Sequence, residues 1–127
     1  MYTDFLSKIP CSAVYEKVPA EKISKTAKEF YSLFETELPE DYIKLLHQTN
    51  GLSCDGHSIC GVYDADFLAD HPRKGSMDIL LGKSSFDYVV YDIAEKKYRI
   101  LSNGTMECFG SFDSFPDLLY AFFEIEK

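Results

Sequence analysis

Two cysteines and a histidine, Cys54, His57 and Cys60, stand at CxxHxxC spacing and are the residues of this sequence best suited to metal chemistry. Thiolates and an imidazole bind Zn²⁺ in tetrahedral sites, and a fourth ligand such as His71 or Cys108 would complete one here. Structural zinc sites generally consist of two close ligand pairs, whereas this sequence has one short cluster. The spacing therefore favours a loop histidine between two small apolar thiols, and we predict no metal.

The same segment offers the parts of a cysteine nucleophile, with Cys60 as the thiol, His57 or His71 as the base and Asp64 as the group that orients it. A catalytic thiol needs such a base to become a thiolate. Three histidines and four cysteines in 127 residues produce such combinations by chance, and no spacing fixes their geometry. We predict no catalytic residue, no cofactor and no enzymatic activity.

The acids between residues 53 and 92 are all aspartates: Asp55, Asp64, Asp66, Asp70, Asp78, Asp87 and Asp92. Asp64, Asp66 and Asp70 form an oxygen-rich cluster of the kind that binds calcium, but Phe67 and Leu68 interrupt it and the EF-hand spacing is absent. Short carboxylates favour loops and turns, so several of them are expected near strand ends. The sequence favours a solvated or partner-facing acidic loop over a calcium site.

The chain is acidic, with 21 Asp and Glu against 13 Lys and Arg and a formal net charge of −8. Residues 1–52 hold eight acids and six bases (net −2), and residues 53–127 hold thirteen acids and seven bases (net −6). This charge repels phosphate backbones and anionic membranes and attracts basic surfaces, although solubility alone also accounts for it. We expect a protein partner, with no nucleic acid and no membrane.

Length and composition predict a single domain over residues 1–127, located in the cytoplasm. The apolar fraction of 46% suffices for one core. The first fifteen residues lack the basic region and long apolar run of a secretory signal, and nowhere do eighteen apolar residues occur together. The four scattered cysteines form no CxxC pair, which indicates small buried thiols in a reducing compartment.

Hydrophobic periodicity predicts two helices before the strands and one after them. The first helix covers about residues 19–36, where apolar side chains recur on one face. The second covers residues 39–49, with a proline at its start and Asn50-Gly51 at its end. The last helix follows Ser114, which resembles the first residue of a capping box.

Between the helices the period changes to that of strands. A strand is predicted over residues 57–63, with Gly61 as a bulge or a close backbone approach, and residues 64–75 form the longest loop. Further strands are expected at 77–81, 86–93, 98–101 and 105–109, the last pair joined by the hairpin signal Asn103-Gly104. This order predicts an α+β domain, an antiparallel sheet packed with two N-terminal helices and one C-terminal helix.

Three segments carry a family resemblance. LPEDY at 38–42, followed by LL at 45–46 and NGL at 50–52, is similar to the signature of the SUKH superfamily. YVVYD at 88–92 and GSFDSF at 110–115 agree with it in order and spacing, so the resemblance covers about residues 20–126. The superfamily includes fungal cell-wall regulators and many bacterial immunity proteins.

The resemblance implies a binding protein, in bacteria typically the antidote to a secreted or contact-delivered toxin, often a nuclease. Nuclease surfaces that grip phosphates are basic, so an acidic antidote gains attraction and a fast encounter. The residues expected to face the partner are Asp64, Asp66, Asp70, Asp87 and Asp92, with Tyr63 and Phe67 as aromatic anchors. The alternative is a regulatory or scaffold module with a cellular partner, as the fungal members suggest.

Overall fold

A computed structural model describes residues 2–9, 13–14, 17–35, 37–54, 56–61, 78–102, 104–105 and 107–126. Within them the helices are α1 (Thr3–Lys8), α2 (Ala20–Phe34), α3 (Glu40–Leu46) and α4 (Phe115–Phe122). The strands are β1 (Ala13–Val14), β2 (Leu52–Cys54), β3 (His57–Ile59), β4 (Asp78–Lys83), β5 (Asp87–Asp92), β6 (Lys97–Ser102) and β7 (Cys108–Phe112).

The strands form one antiparallel sheet whose spatial order, β1 to β7, is the order of the sequence. Each strand pairs with the next one in the chain, and the predicted α+β class is confirmed. Among the residues that the structure describes, no helix combines the length and the apolar composition needed to cross a membrane.

Both faces of the sheet are covered at its centre. The main core joins the helices to one face, where Val89 of β5 is fully buried and Tyr91 is partly buried. A smaller cluster occupies the other face and consists of Leu80, Val90 and Leu101, with Tyr88 packed against it. Tyr88 and Tyr91 therefore lie on opposite faces, as alternation along a strand predicts.

Two glycines let the chain after α3 pass close to β3. Gly51 has a φ of +77°, and a Cβ there would lie 2.5 Å from the carbonyl oxygen of Ile59. A Cβ on Gly61 would lie 2.5 Å from the backbone oxygen of Asn50. The close approach predicted at Gly61 is thus confirmed, as is the left-handed residue after the second helix.

The prediction missed short elements and one register. Helix α1, with six residues, and strands β1 and β2 are too short to show a hydrophobic period. The last strand was predicted at 105–109 but lies at Cys108–Phe112. The difference arises in the hairpin loop: the Ser102 N–H donates to the Glu107 oxygen, so four residues separate the bonded pair instead of the two that Asn103-Gly104 predicts. The 57–63 strand ends at Ile59, and the predicted loop at 64–75 lies outside the described residues.

Helix α4 begins as predicted. Ser114 is its N-cap, and the Ser114 Oγ accepts a hydrogen bond from the Asp117 N–H at 3.3 Å. One face of the helix is buried and consists of Phe115, Leu118, Leu119 and Phe122. The helix packs against β6 and β7, and its N-cap follows β7 by two residues.

We predict that Ser114→Ala lowers the free energy of unfolding by about 1 kcal/mol, because a first-turn N–H loses its acceptor. Urea denaturation measures the change. Ser24→Ala is the control, since Ser24 is exposed within α2 and alanine favours a helix there. An equal effect of the two substitutions would contradict the role of the cap.

Candidate functional site

Most of the residues expected to face a partner lie outside the described residues: Tyr63, Asp64, Asp66, Phe67 and Asp70. The structure describes the other two, Asp87 and Asp92, which begin and end β5. Five residue steps of about 3.3 Å separate them by roughly 17 Å. The two aspartates therefore belong to opposite ends of the sheet and do not form one patch.

Asp92 is engaged within the fold. Its Oδ2 lies 3.4 Å from Nη1 of Arg99, and its side chain is 16% exposed. Its Oδ1 accepts a hydrogen bond from the Glu95 N–H at 3.1 Å, in the turn between β5 and β6. A basic partner would have to compete with Arg99 for this carboxylate. The partner-facing role of Asp92 stays a prediction, and these internal contacts disfavour it.

Phe86 stands at the other end of β5 in a turn held by Ser84. The Ser84 Oγ accepts hydrogen bonds from the N–H groups of Phe86 and Asp87, at 3.4 and 3.1 Å. The Ser84 N–H donates to the Asp87 oxygen at 2.8 Å and closes the turn. The Phe86 side chain is 78% exposed, so a hydrogen-bonded turn presents a large apolar ring to solvent.

Phe109 lies at the same end of the sheet, on β7. Asp87 pairs with Ser102, which in turn bonds Glu107, so Asp87 and Glu107 lie in one row across three strands, about 10 Å apart. Phe86 precedes Asp87, and Phe109 follows Glu107 by two residues and is 66% exposed. We name these four residues, Phe86, Asp87, Glu107 and Phe109, the Phe86–Phe109 surface.

The chemistry of this surface combines exposed aromatic rings with carboxylates. Exposed aromatic rings become hot spots when a partner covers them, and neighbouring carboxylates select a basic partner. The strand predicted over residues 86–93 includes Phe86, and in a strand the face on which a side chain lies decides whether it is exposed. The two serines before it, Ser84 and Ser85, are the signal that could have identified a turn instead.

The three residues of the CxxHxxC segment lie in or beside β2 and β3. Cys54 and Cys60 are buried thiols outside any disulfide, as predicted, whereas Cys108 is exposed. His57 lies in β3 rather than in a loop, and its ring centroid is 5.0 Å from that of Phe122. Nowhere in the described part of the chain do three His, Cys, Asp or Glu side chains gather in a way that could hold a metal. The candidate ligand at position 71 lies outside that part.

Asp41, from the LPEDY segment, joins elements that are distant in sequence. Its backbone oxygen accepts the Tyr2 hydroxyl at 2.5 Å, and its Oδ2 accepts the Phe115 N–H at 3.4 Å. Burial, followed by the charge of Asp41, raises the pKa of Tyr2 and of Tyr98 well above the ordinary value for tyrosine. Both phenols are therefore held neutral around this carboxylate.

No protein-family model matches the chain, and no curated protein is significantly similar to it. The resemblance to the SUKH superfamily thus rests on the motifs and their spacing.

We predict that Tyr98 makes the fold less stable at alkaline pH. Because the pKa of Tyr98 is raised, the folded protein keeps a phenol proton that the unfolded chain releases near pH 10. The contribution of Tyr98 to the free energy of unfolding is therefore complete below about pH 10 and is lost as the pH rises further. The thermal midpoint between about pH 8 and 11 should fall more steeply in the native protein than in Tyr98→Phe. Tyr31→Phe, at an exposed position of α2, should keep the native slope. Equal slopes in all three proteins would refute the prediction.

Proposed function

We propose that the chain is an immunity protein that binds a basic bacterial toxin domain and neutralises it by occlusion, without chemistry of its own. The observation that carries the proposal is the pair of exposed rings, Phe86 at 78% and Phe109 at 66%, beside carboxylates at one end of the sheet. The step from protein binding to toxin neutralisation rests on the SUKH resemblance. The proposal includes a cytoplasmic location, where the antidote would meet an incoming toxin.

The exposed rings supply affinity. Covering one phenylalanine contributes about 1.5 to 3 kcal/mol when it is fully buried. The Ser84 hydrogen bonds hold the backbone at Phe86, and the neighbours of Phe109, Cys108 and Gly110, both pair with β6, so less backbone freedom is lost on binding than in a mobile loop. Preorganised anchors of this kind suit a tight complex of equal stoichiometry.

The charge of the C-terminal part supplies attraction. Residues 107–126 contain five acids, Glu107, Asp113, Asp117, Glu124 and Glu126, and no lysine or arginine, which gives a net charge of −5 for that segment. A toxin that grips nucleic-acid phosphates is basic at its active surface, so long-range attraction directs the acidic chain to that surface. Covering it blocks access of the substrate.

We predict that the native protein retains a basic protein at equal stoichiometry from lysate or secretions of its source organism, and that it rescues cells expressing that protein. Phe86→Ser and Phe109→Ser should each weaken binding about tenfold or more, since both remove an anchor. Titration calorimetry measures the affinities. Tyr31→Ser is the matched control, because Tyr31 is an exposed aromatic residue of α2, an element that contributes nothing to the Phe86–Phe109 surface.

The outcomes separate the two readings of the resemblance. Retention of a partner without rescue of growth would favour the regulatory or scaffold module over the antidote. Rescue that survives both phenylalanine substitutions would remove the Phe86–Phe109 surface from the binding site.

A further inference from the structure

Strand β7 forms an edge of the sheet. It is last in the spatial order and pairs with β6 on one side, and within the described residues no strand pairs with its other side. Cys108, Phe109 and Ser111 are exposed, as are Glu107 before the strand and Asp113 after it. Backbone N–H and C=O groups on such an edge can pair with an added strand.

We propose that β7 accepts an extended segment of the partner as an additional strand, and that this segment carries Lys or Arg near both of its ends. The inference deepens the proposed function and rests on it, since it specifies how a basic protein partner is held. Its basis is the pattern of charge and apolar surface along β7.

Acids at both ends of the edge oppose pairing with a second copy. Glu107 and Asp113 lie three residues on either side of Gly110. In an antiparallel pair of two copies centred near Gly110, the acid at each end of one copy would come near the acid at the opposite end of the other, and like charges that face one another are destabilising. A partner segment with lysine or arginine near both ends would instead be attracted to Glu107 and Asp113.

Asp113 remains accessible to such a partner although it also contacts Lys97 of β6. The Asp113 side chain is 84% exposed, and the Lys97 side chain is 38% exposed. Lys97 approaches from the strand on the inner side of β7. The carboxylate therefore keeps exposed surface with which a second basic group can interact.

The strand itself, residues 108–112, contains no charged residue. Edges that are protected from pairing generally carry charge, proline or a bulge. Ile100 pairs with Gly110 and Leu101 with Cys108, so Phe109 is the extra residue of a bulge, and the pairing from Gly110 to Phe112 is regular. Phe109, 66% exposed, stands beside this regular stretch and offers a ring on which a cross-strand side chain can pack.

Three synthetic peptides with one alternating Thr/Val core test the inference on the full chain labelled with ¹⁵N. The first has lysine at both ends, the second has glutamate at both ends, and the third is the lysine peptide with N-methylated backbone amides. At about millimolar peptide, the lysine peptide should shift the β7 amide resonances and slow their hydrogen exchange. The other two should bind at least about tenfold more weakly.

The double variant Glu107→Lys/Asp113→Lys provides the charge-reversed control. It should prefer the glutamate peptide, and an unchanged thermal midpoint would show that its fold is retained. If the variant fails to fold, the three peptides on the native chain decide alone. Equal binding of the methylated and unmethylated lysine peptides, shifts confined to other elements, no shift in β7, or self-association through β7 would each overturn the inference.

The test is independent of the toxin. If the lysine peptide causes no shift in β7 but the chain still retains a basic partner, strand addition is refuted and the proposed function stays in place. A β7 response in a chain that retains no basic partner would support strand addition and refute the proposed function.

Discussion

The interactions around Asp41 hold the two ends of the chain to the same point of the fold. Its backbone oxygen accepts the Tyr2 hydroxyl from the residue before α1, and its carboxylate accepts the first N–H of α4, that of Phe115. The neighbouring Tyr42 donates to the Cys60 oxygen at 2.6 Å, just after β3. Buried polar groups need partners, so moving any of these elements leaves several groups unsatisfied. These bonds give the last two residues of the LPEDY segment, Asp41 and Tyr42, a structural role that is independent of any family.

The position of α4 in turn fixes the proposed binding surface. Helix α4 begins three residues after β7 ends, and its buried stripe packs on β6 and β7. The stacked rings of Tyr98 and Phe115, with centroids 5.2 Å apart, connect that packing to the Asp41 region. The edge of the sheet and the turn that presents Phe86 are therefore parts of a scaffold anchored on its helix-covered face. Binding by such a scaffold needs little reorganisation.

Features determined by local chemistry could be predicted, and features determined by register could not. Long periodic helices, the Ser114 cap and the close approach at Gly61 follow from side-chain spacing and backbone sterics. The location of β7 depended on whether four residues or two close its hairpin, which Asn103-Gly104 does not reveal. The exposure of Phe86 likewise depends on where the strand begins: β5 starts at Asp87, one residue later than the strand predicted over 86–93. Of the four residues of the proposed surface, the sequence analysis had named Asp87 alone, and its role stays a prediction.

Hydrogen–deuterium exchange of the chain, alone and in complex with the protein that coelutes with it at equal stoichiometry, tests the central claim most directly. The claim is that one end of the sheet, with the β7 edge, forms the contact. Exchange should slow at residues 84–88 and 107–112 in the complex, while α2 keeps its rates. Slowing confined to α2 and α3, or the absence of any coeluting protein, would contradict the account.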